Sequence, residues 1–194
     1  MLKHSSVLAA FLVSMGLLTG CGSSSSSSDA PVVKGVVVDG IIKDAEVCVD
    51  SNGDGDCSDE PASCRATTDV FGEFDLGGCG SVAPLVSYGG TDTGTGLAFT
   101  GSLKAPAGSL VVTPMTSATQ ALVEGGQSAE EAEATIKAAF GIDEAVELTE
   151  FNPFKALDEG TPAEKEQAQQ VLAQQAKVQT IVHSISAAVA GADE

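Results

Sequence analysis

Tryptophan is absent, and all aromatic residues together make up 4% of the 194-residue chain. Sugar-binding surfaces stack rings on aromatic side chains, so a lectin or a glycan cleft is disfavoured. Positive charge is equally scarce. Nine Lys and Arg stand against 27 Asp and Glu, a formal net charge of -18. Such a surface repels nucleic acid and anionic membrane faces. It suits a hard cation such as calcium, or a basic partner. Histidine occurs twice, as His4 and His183. A lone helical His is more often packed or solvated than catalytic, and no Ser/His/Asp or Cys/His set can be assembled. No G-x-S-x-G occurs, and Gly94-Thr95-Gly96 lacks the strand–helix context of a phosphate loop. The expectation is a protein that is not an enzyme, with catalytic residues none. Abundant carboxylates leave a small hydrolase as a remote alternative.

Residues 1–20 do not belong to a fold. Lys3 supplies a positive start, and residues 7–18 form an apolar run of secretory length. Leu18-Thr19-Gly20-Cys21 follows. That tetrapeptide resembles the bacterial lipobox, in which cleavage precedes the cysteine and the cysteine carries the lipid. The resemblance implies a signal peptide at 1–20 and lipidation of Cys21. Gly22, where an Asp would favour inner-membrane retention, implies an outer-membrane lipoprotein of the cell envelope, on its periplasmic or its outer face. The alternative is an ordinary secretory signal with an unrelated cysteine. Ser23–Ser28 and the residues after it read as a flexible tether over 21–31. Acyl chains on Cys21 would make the membrane a partner.

Residues 32–112 read as β-rich. Seven short strands are expected, at 32–38, 45–49, 64–68, 73–76, 85–88, 97–103 and 109–112, divided by Gly, Pro and Asp turns. Residues 113–194 change to helical periodicity. Thr113-Pro114 reads as an N-cap followed by Pro at the first helical position. Ser128 with Glu131, and Thr161 with Glu164, are capping boxes. Gly125-Gly126 and Gly141 end the first two helices. About three helices are expected, the last running from 161 to about 190 with an apolar line through Val171, Val178, Ile181, Val182, Ile185 and Val189. That line packs on the chain's own elements or docks a partner or second copy. The fold class is therefore α+β.

The acidic stretch between the second and third strands holds the candidate site. Asp50, Asn52, Asp54 and Asp56 recur at every second position with glycines between them, and Asp59-Glu60 follows. Crowded oxygen donors repel one another unless a hard cation sits among them, and Asp50, Asn52, Asp54 and Gly55 match the opening of an EF-hand loop. The closing bidentate Glu is displaced: position twelve is Pro61, and Glu60 falls one short. The stretch also leaves a strand rather than a helix. The competing reading is a solvated hairpin loop, because Asn, Asp and Gly are turn residues. After Cys21, four cysteines remain, Cys48, Cys57, Cys64 and Cys79, an even number in an exported chain. Three pairings exist. The favoured one is Cys48–Cys57, cinching the loop, with Cys64–Cys79. A zinc site fits less well without C-x-x-C pairs or a nearby His.

Gly35-Val-Val-Val-Asp-Gly40, Asp44-Ala-Glu-Val-Cys-Val-Asp50 and Ala66-Thr-Thr-Asp-Val-Phe-Gly-Glu-Phe74 together resemble the carboxypeptidase-regulatory-like, transthyretin-like β-sandwich modules. The resemblance covers roughly residues 32–112. It implies a small seven-stranded sandwich in a secreted or surface setting, with an accessory, adhesive or structural role and no catalysis. The acidic insert is similar to the calcium loops of bacterial surface repeats. The resulting expectation is a calcium-stabilised envelope module. The alternative is a calcium-independent accessory lipoprotein that scaffolds an envelope complex through helix 161–190.

Overall fold

The fold is described from a computed structural model over residues 33–79 and 82–190, with side chains of the last helix through Ile181. The signal peptide, Cys21, the serine tether, His183 and the side chains of Val182, Ile185 and Val189 lie outside the described residues.

The chain is α+β. Nine strands precede four helices: β1 (Lys34–Val37), β2 (Ile42–Lys43), β3 (Glu46–Val49), β4 (Arg65–Thr67), β5 (Glu73–Asp75), β6 (Leu85–Tyr88), β7 (Thr91–Asp92), β8 (Ser102–Ala105) and β9 (Val111–Val112), then α1 (Pro114–Glu124), α2 (Ala129–Phe140), α3 (Pro153–Glu159) and α4 (Pro162–Ala190). Two strands, β2 and β7, go beyond the seven expected, and so does one helix, α3. The strand expected at 97–103 begins only at Ser102. Leu97 instead closes a turn, accepting from the Asp92 amide at 3.0 Å, and its side chain is exposed.

The strands form three small sheets, in the orders β5-β1-β9, β2-β7 and β4-β3-β6-β8. Strand β1 is antiparallel to β5 and parallel to β9. Period-two alternation divides the side chains of β3: Val47 and Val49 enter the main core, and Cys48 points the other way. That core also takes Val37, Phe74, Leu76, Leu85, Leu103 and Val112, so the three- and four-stranded sheets share one interior. Each large aliphatic buried there contributes about 1.5–3 kcal/mol.

The far faces of both sheets are covered as well. Val36, Val38 and Val111 pack beneath Phe154 of α3. This explains why residues 36–38 form an unbroken apolar run, as expected where both faces of a strand are buried. Cys48 and Val86 lie beneath Cys57 and Tyr88, at the base of the acidic loop.

The helices follow their caps. Thr113 and Ser128 each form a reciprocal capping box, and Gly141 ends α2 in the left-handed region. Thr161 and Glu164 do the same for α4, with the Thr161 amide donating to Glu164 at 2.7 Å. Helix α1 is fastened to β8: the Thr116 hydroxyl donates to the Lys104 carbonyl at 2.9 Å, and the Lys104 amide donates to the Ser117 hydroxyl at 2.9 Å. A second core joins Met115 of α1, Ile136 of α2, Ile142, Val146 and Leu148 of the connector, and Val171 and Val178 of α4. Buried Glu133 holds the connector by accepting from the Leu148 amide at 2.8 Å, with Lys137 at 3.3 Å from its carboxylate. Val171 and Val178 thus pack on the chain itself, while Ile181 is 52% exposed. Among the described residues, no helix is long and apolar enough to cross a membrane.

Candidate functional site

The acidic loop rises from β3 and returns through a short 3-10 turn, Ala62–Cys64, into β4. Its base is covalent. Cys48 bonds Cys57, and Cys64 bonds Cys79. Tyr88, the chain's single tyrosine, stands on the neighbouring β6 and accepts from the Cys57 amide at 3.4 Å. Arg65 braces the return limb, ion-paired with Glu46 and donating to the Ser58 carbonyl at 3.4 Å.

Within this frame the six oxygen-bearing side chains split into two groups. Asp50 and Glu60 are buried at the two ends of the loop. Asp50 accepts from the Gly53 and Gly55 amides at 2.7 and 3.0 Å. Glu60 accepts from the Ser51 amide at 2.5 Å. Asn52, Asp54, Asp56 and Asp59 are exposed. The Asn52 amide donates to Asp54 at 2.9 Å and to Asp59 at 2.7 Å. Asp54 accepts from the Asp56 amide, and Asp56 from the Ser58 amide, each at 2.8 Å. From Asn52 to Asp56 the every-second-residue spacing therefore builds a chain of Asx turns, in which Asn52, Asp54 and Asp56 each satisfy the amide two residues on. Gly53 and Gly55 sit near φ +80°, which lets the loop double back above Asp50.

The Ser58 amide and hydroxyl hold the Asp56 carboxyl below its ordinary range, and Arg65 adds to this. Burial pushes the Tyr88 phenol up.

The donor set suits calcium chemically, since it offers hard oxygens from carboxylates, an amide and nearby carbonyls. Among the described residues, no three His, Cys, Asp or Glu side chains come together closely enough to hold a metal ion. The carboxylates face the loop's own amides instead. No Lys or Arg pairs with Asp50 or Glu60 among the described residues.

Sequence reasoning missed the loop's supports, namely Tyr88, Glu46, Arg65 and the Pro84 carbonyl that accepts from the Asp50 amide at 2.9 Å. A lone Tyr beside Gly89-Gly90 was the available signal for the first.

Asp39 forms a separate charged contact. It is half-buried in the turn after β1 and accepts a hydrogen bond from Gln179 of α4. Burial raises its pKa and nearby Asp92 adds to the rise, while the Gln179 bond opposes both. A raised folded-state value means that stability is present below the unfolded pKa and lost as pH rises through the folded one. Asp39→Asn should therefore raise Tm at neutral pH. The gain should vanish below the ordinary aspartate range. Thermal melts of both proteins across that range check it; a gain constant with pH defeats the attribution to Asp39 ionisation.

A surface groove of about 820 Å³ lies elsewhere, between β1, β4, β5 and the start of α3. Two of its basic residues, Lys34 and Arg65, are already paired, with Asp75 and Glu46. No protein-family model, curated protein or solved structure matches the chain.

Proposed function

We propose that this chain is a lipid-anchored binding or structural module of the bacterial cell envelope, carried on a transthyretin-like sandwich and stabilised by calcium at the loop 50–60. The observation that carries the reading is the pair of buried carboxylates, Asp50 and Glu60, closing a disulfide-clamped loop with no cationic side chain of the described residues against them. Loop amides already hold Asp50 and Glu60, and a bound divalent ion would add the countercharge that those amides do not supply. Asp50, Asn52, Asp54, Asp56, Asp59 and Glu60 would supply the ligands. Asp54 and Asp59 would have to exchange the Asn52 amide for the ion. The two sheets sharing one core support the sandwich, and the lipobox at Cys21 supports the anchor and the outer-membrane setting.

The test is a calcium titration of Tm on protein lacking residues 1–21. At a hundredfold excess over Kd the shift is about 2.7 kcal/mol, roughly 5–10 °C. Asp50→Asn and Glu60→Gln should each abolish most of it. No shift with both disulfides intact overturns the calcium reading. It would leave the calcium-independent scaffold, whose supporting observation is Ile181, 52% exposed on α4 just beyond the buried Val178.

A further inference from the structure

The chain contains two asparagines, Asn52 and Asn152. Their C-terminal neighbours give them opposite chemistry. Asn152 precedes Pro153, which has no amide N–H, and caps α3 by accepting from the Phe154 and Lys155 amides at 3.1 Å each. Asn52 precedes Gly53, whose amide carries no side chain to hinder it, and nothing lies within 4 Å of where a Cβ would stand. Asn52 is exposed.

We propose that Asn52-Gly53 is a spontaneous deamidation site whose rate is gated by the order of the disulfide-clamped loop. The Gly53 nitrogen attacks the side-chain carbonyl carbon of Asn52. The carbon–nitrogen bond to Nδ2 breaks, and the amide proton leaves with ammonia by way of solvent. Water then opens the cyclic imide to aspartate or isoaspartate. The net change is addition of one water and loss of one ammonia, with no redox partner.

Four hydrogen bonds oppose the attack. Nδ2 of Asn52 donates to Asp54 and Asp59, Oδ1 accepts from the Asp54 amide at 3.1 Å, and the Gly53 amide donates to Asp50 at 2.7 Å. The nucleophile is thus occupied and the electrophile pinned. Reaction requires local opening, and the Cys48–Cys57 bond limits that opening. The product reshapes the loop. Aspartate at 52 removes both hydrogen bonds that Asn52 now donates to Asp54 and Asp59 and adds a charge beside them. Isoaspartate also inserts a methylene into the backbone at residue 52, within the Asx turn that Asn52 opens.

The test is peptide mass spectrometry with isoaspartate detection on the full chain, aged at mildly alkaline pH in EDTA so that the result is independent of cation binding. Conversion should appear in the segment between Lys43 and Arg65 and be absent at Asn152. Reduction should speed it by about tenfold or more. Asp59→Ala should speed it in the oxidised protein and leave the rate unchanged in denaturant. Equal rates in oxidised and reduced protein, or no conversion in denaturant, overturn the proposal. A replacement of Cys48 and Cys57 by Ser that leaves the rate of the otherwise oxidised protein unchanged would overturn the assignment of the gate to the loop disulfide.

Discussion

Reduction of both disulfides should remove about 5–6 kcal/mol of stability and leave the β half largely unfolded at physiological temperature. The estimate follows from loop closure. The bonds join residues 9 and 15 positions apart, and each should constrain the unfolded chain by about 2.5–3 kcal/mol. Their sum is on the order of the whole stability of an ordinary domain, about 5–15 kcal/mol. The two bonds should not contribute alike. Cys64 and Cys79 belong to the main core, beside Phe74 and Leu76, so their replacement by Ser also places two hydroxyls among apolar side chains. Cys48 and Cys57 lie on the outer face of the four-stranded sheet, with Val86 and Tyr88. Replacing that pair should cost less stability but free the acidic loop. Urea denaturation of the two double variants, followed by far-ultraviolet dichroism, measures the first effect. With tryptophan absent, Tyr88 fluorescence reports the second from the base of the loop. Equal midpoints with and without reductant would show that the sheets stand without their crosslinks.

The parts of this fold that could be read in advance are those in which one residue type serves one local geometry. Ser128 with Glu131 and Thr161 with Glu164 satisfy amides within their own first turn, so spacing alone reveals them. Other parts depend on what lies across space. Strands β2 and β7 are two residues each and exist through their mutual pairing, Ile42 with Asp92 and Lys43 with Thr91. No alternation can develop over that length. The parallel pairing of β1 with β9 joins residues 75 positions apart, Val36 with Val111. Helix α3 was legible in principle, since Asn152-Pro153 is an N-cap followed by Pro at the first helical position, the same signal that marks Thr113-Pro114. At seven residues it lacks the periodicity that would have drawn attention to that cap.

The acidic loop is the more instructive case, because one pattern serves two chemistries. Carboxylates at alternate positions can converge on an ion. They can equally accept the amides two residues on, as Asp54 and Asp56 do here. Sequence alone cannot separate the two, because both need short oxygen-bearing side chains and glycines free to take positive φ. Burial separates the members. Asp50 and Glu60 are withdrawn from solvent, while Asn52, Asp54, Asp56 and Asp59 remain at the surface.

Gly35→Ala should be among the most damaging single substitutions in the chain, at about 3 kcal/mol, although Gly35 carries no side chain and its φ lies outside the left-handed region. The motif around it supplies the reason. Gly35 is the register partner of Phe74 across the antiparallel β1–β5 pair. An added Cβ would lie 2.6 Å from the ring carbon Cζ of Phe74, 3.0 Å from the Leu110 carbonyl carbon, and hard against that carbonyl's oxygen. The ring covers the glycine, the known compensation for a missing side chain in a sheet. The turn that delivers the ring is determined just as closely. The Thr68 hydroxyl donates to the Ile42 carbonyl at 2.7 Å and accepts from the Ala45 amide at 2.8 Å. Asp69 accepts from the Phe71 and Glu73 amides, and Gly72 turns at φ +75°. Thr68, Asp69, Gly72 and Phe74 thus act together to place one ring over one glycine. Two obstacles of different kinds predict a particular double-mutant result. Phe74→Leu withdraws the ring but leaves the Leu110 backbone in place. The pair Gly35→Ala with Phe74→Leu should be less unstable than the sum of the single changes by about 1 kcal/mol, yet remain well below the parent. Urea midpoints of the four proteins measure this coupling. A Gly35→Ala protein within about 0.5 kcal/mol of the parent, the range of an ordinary surface change, would mean that β1 can shift away from β9 at little cost.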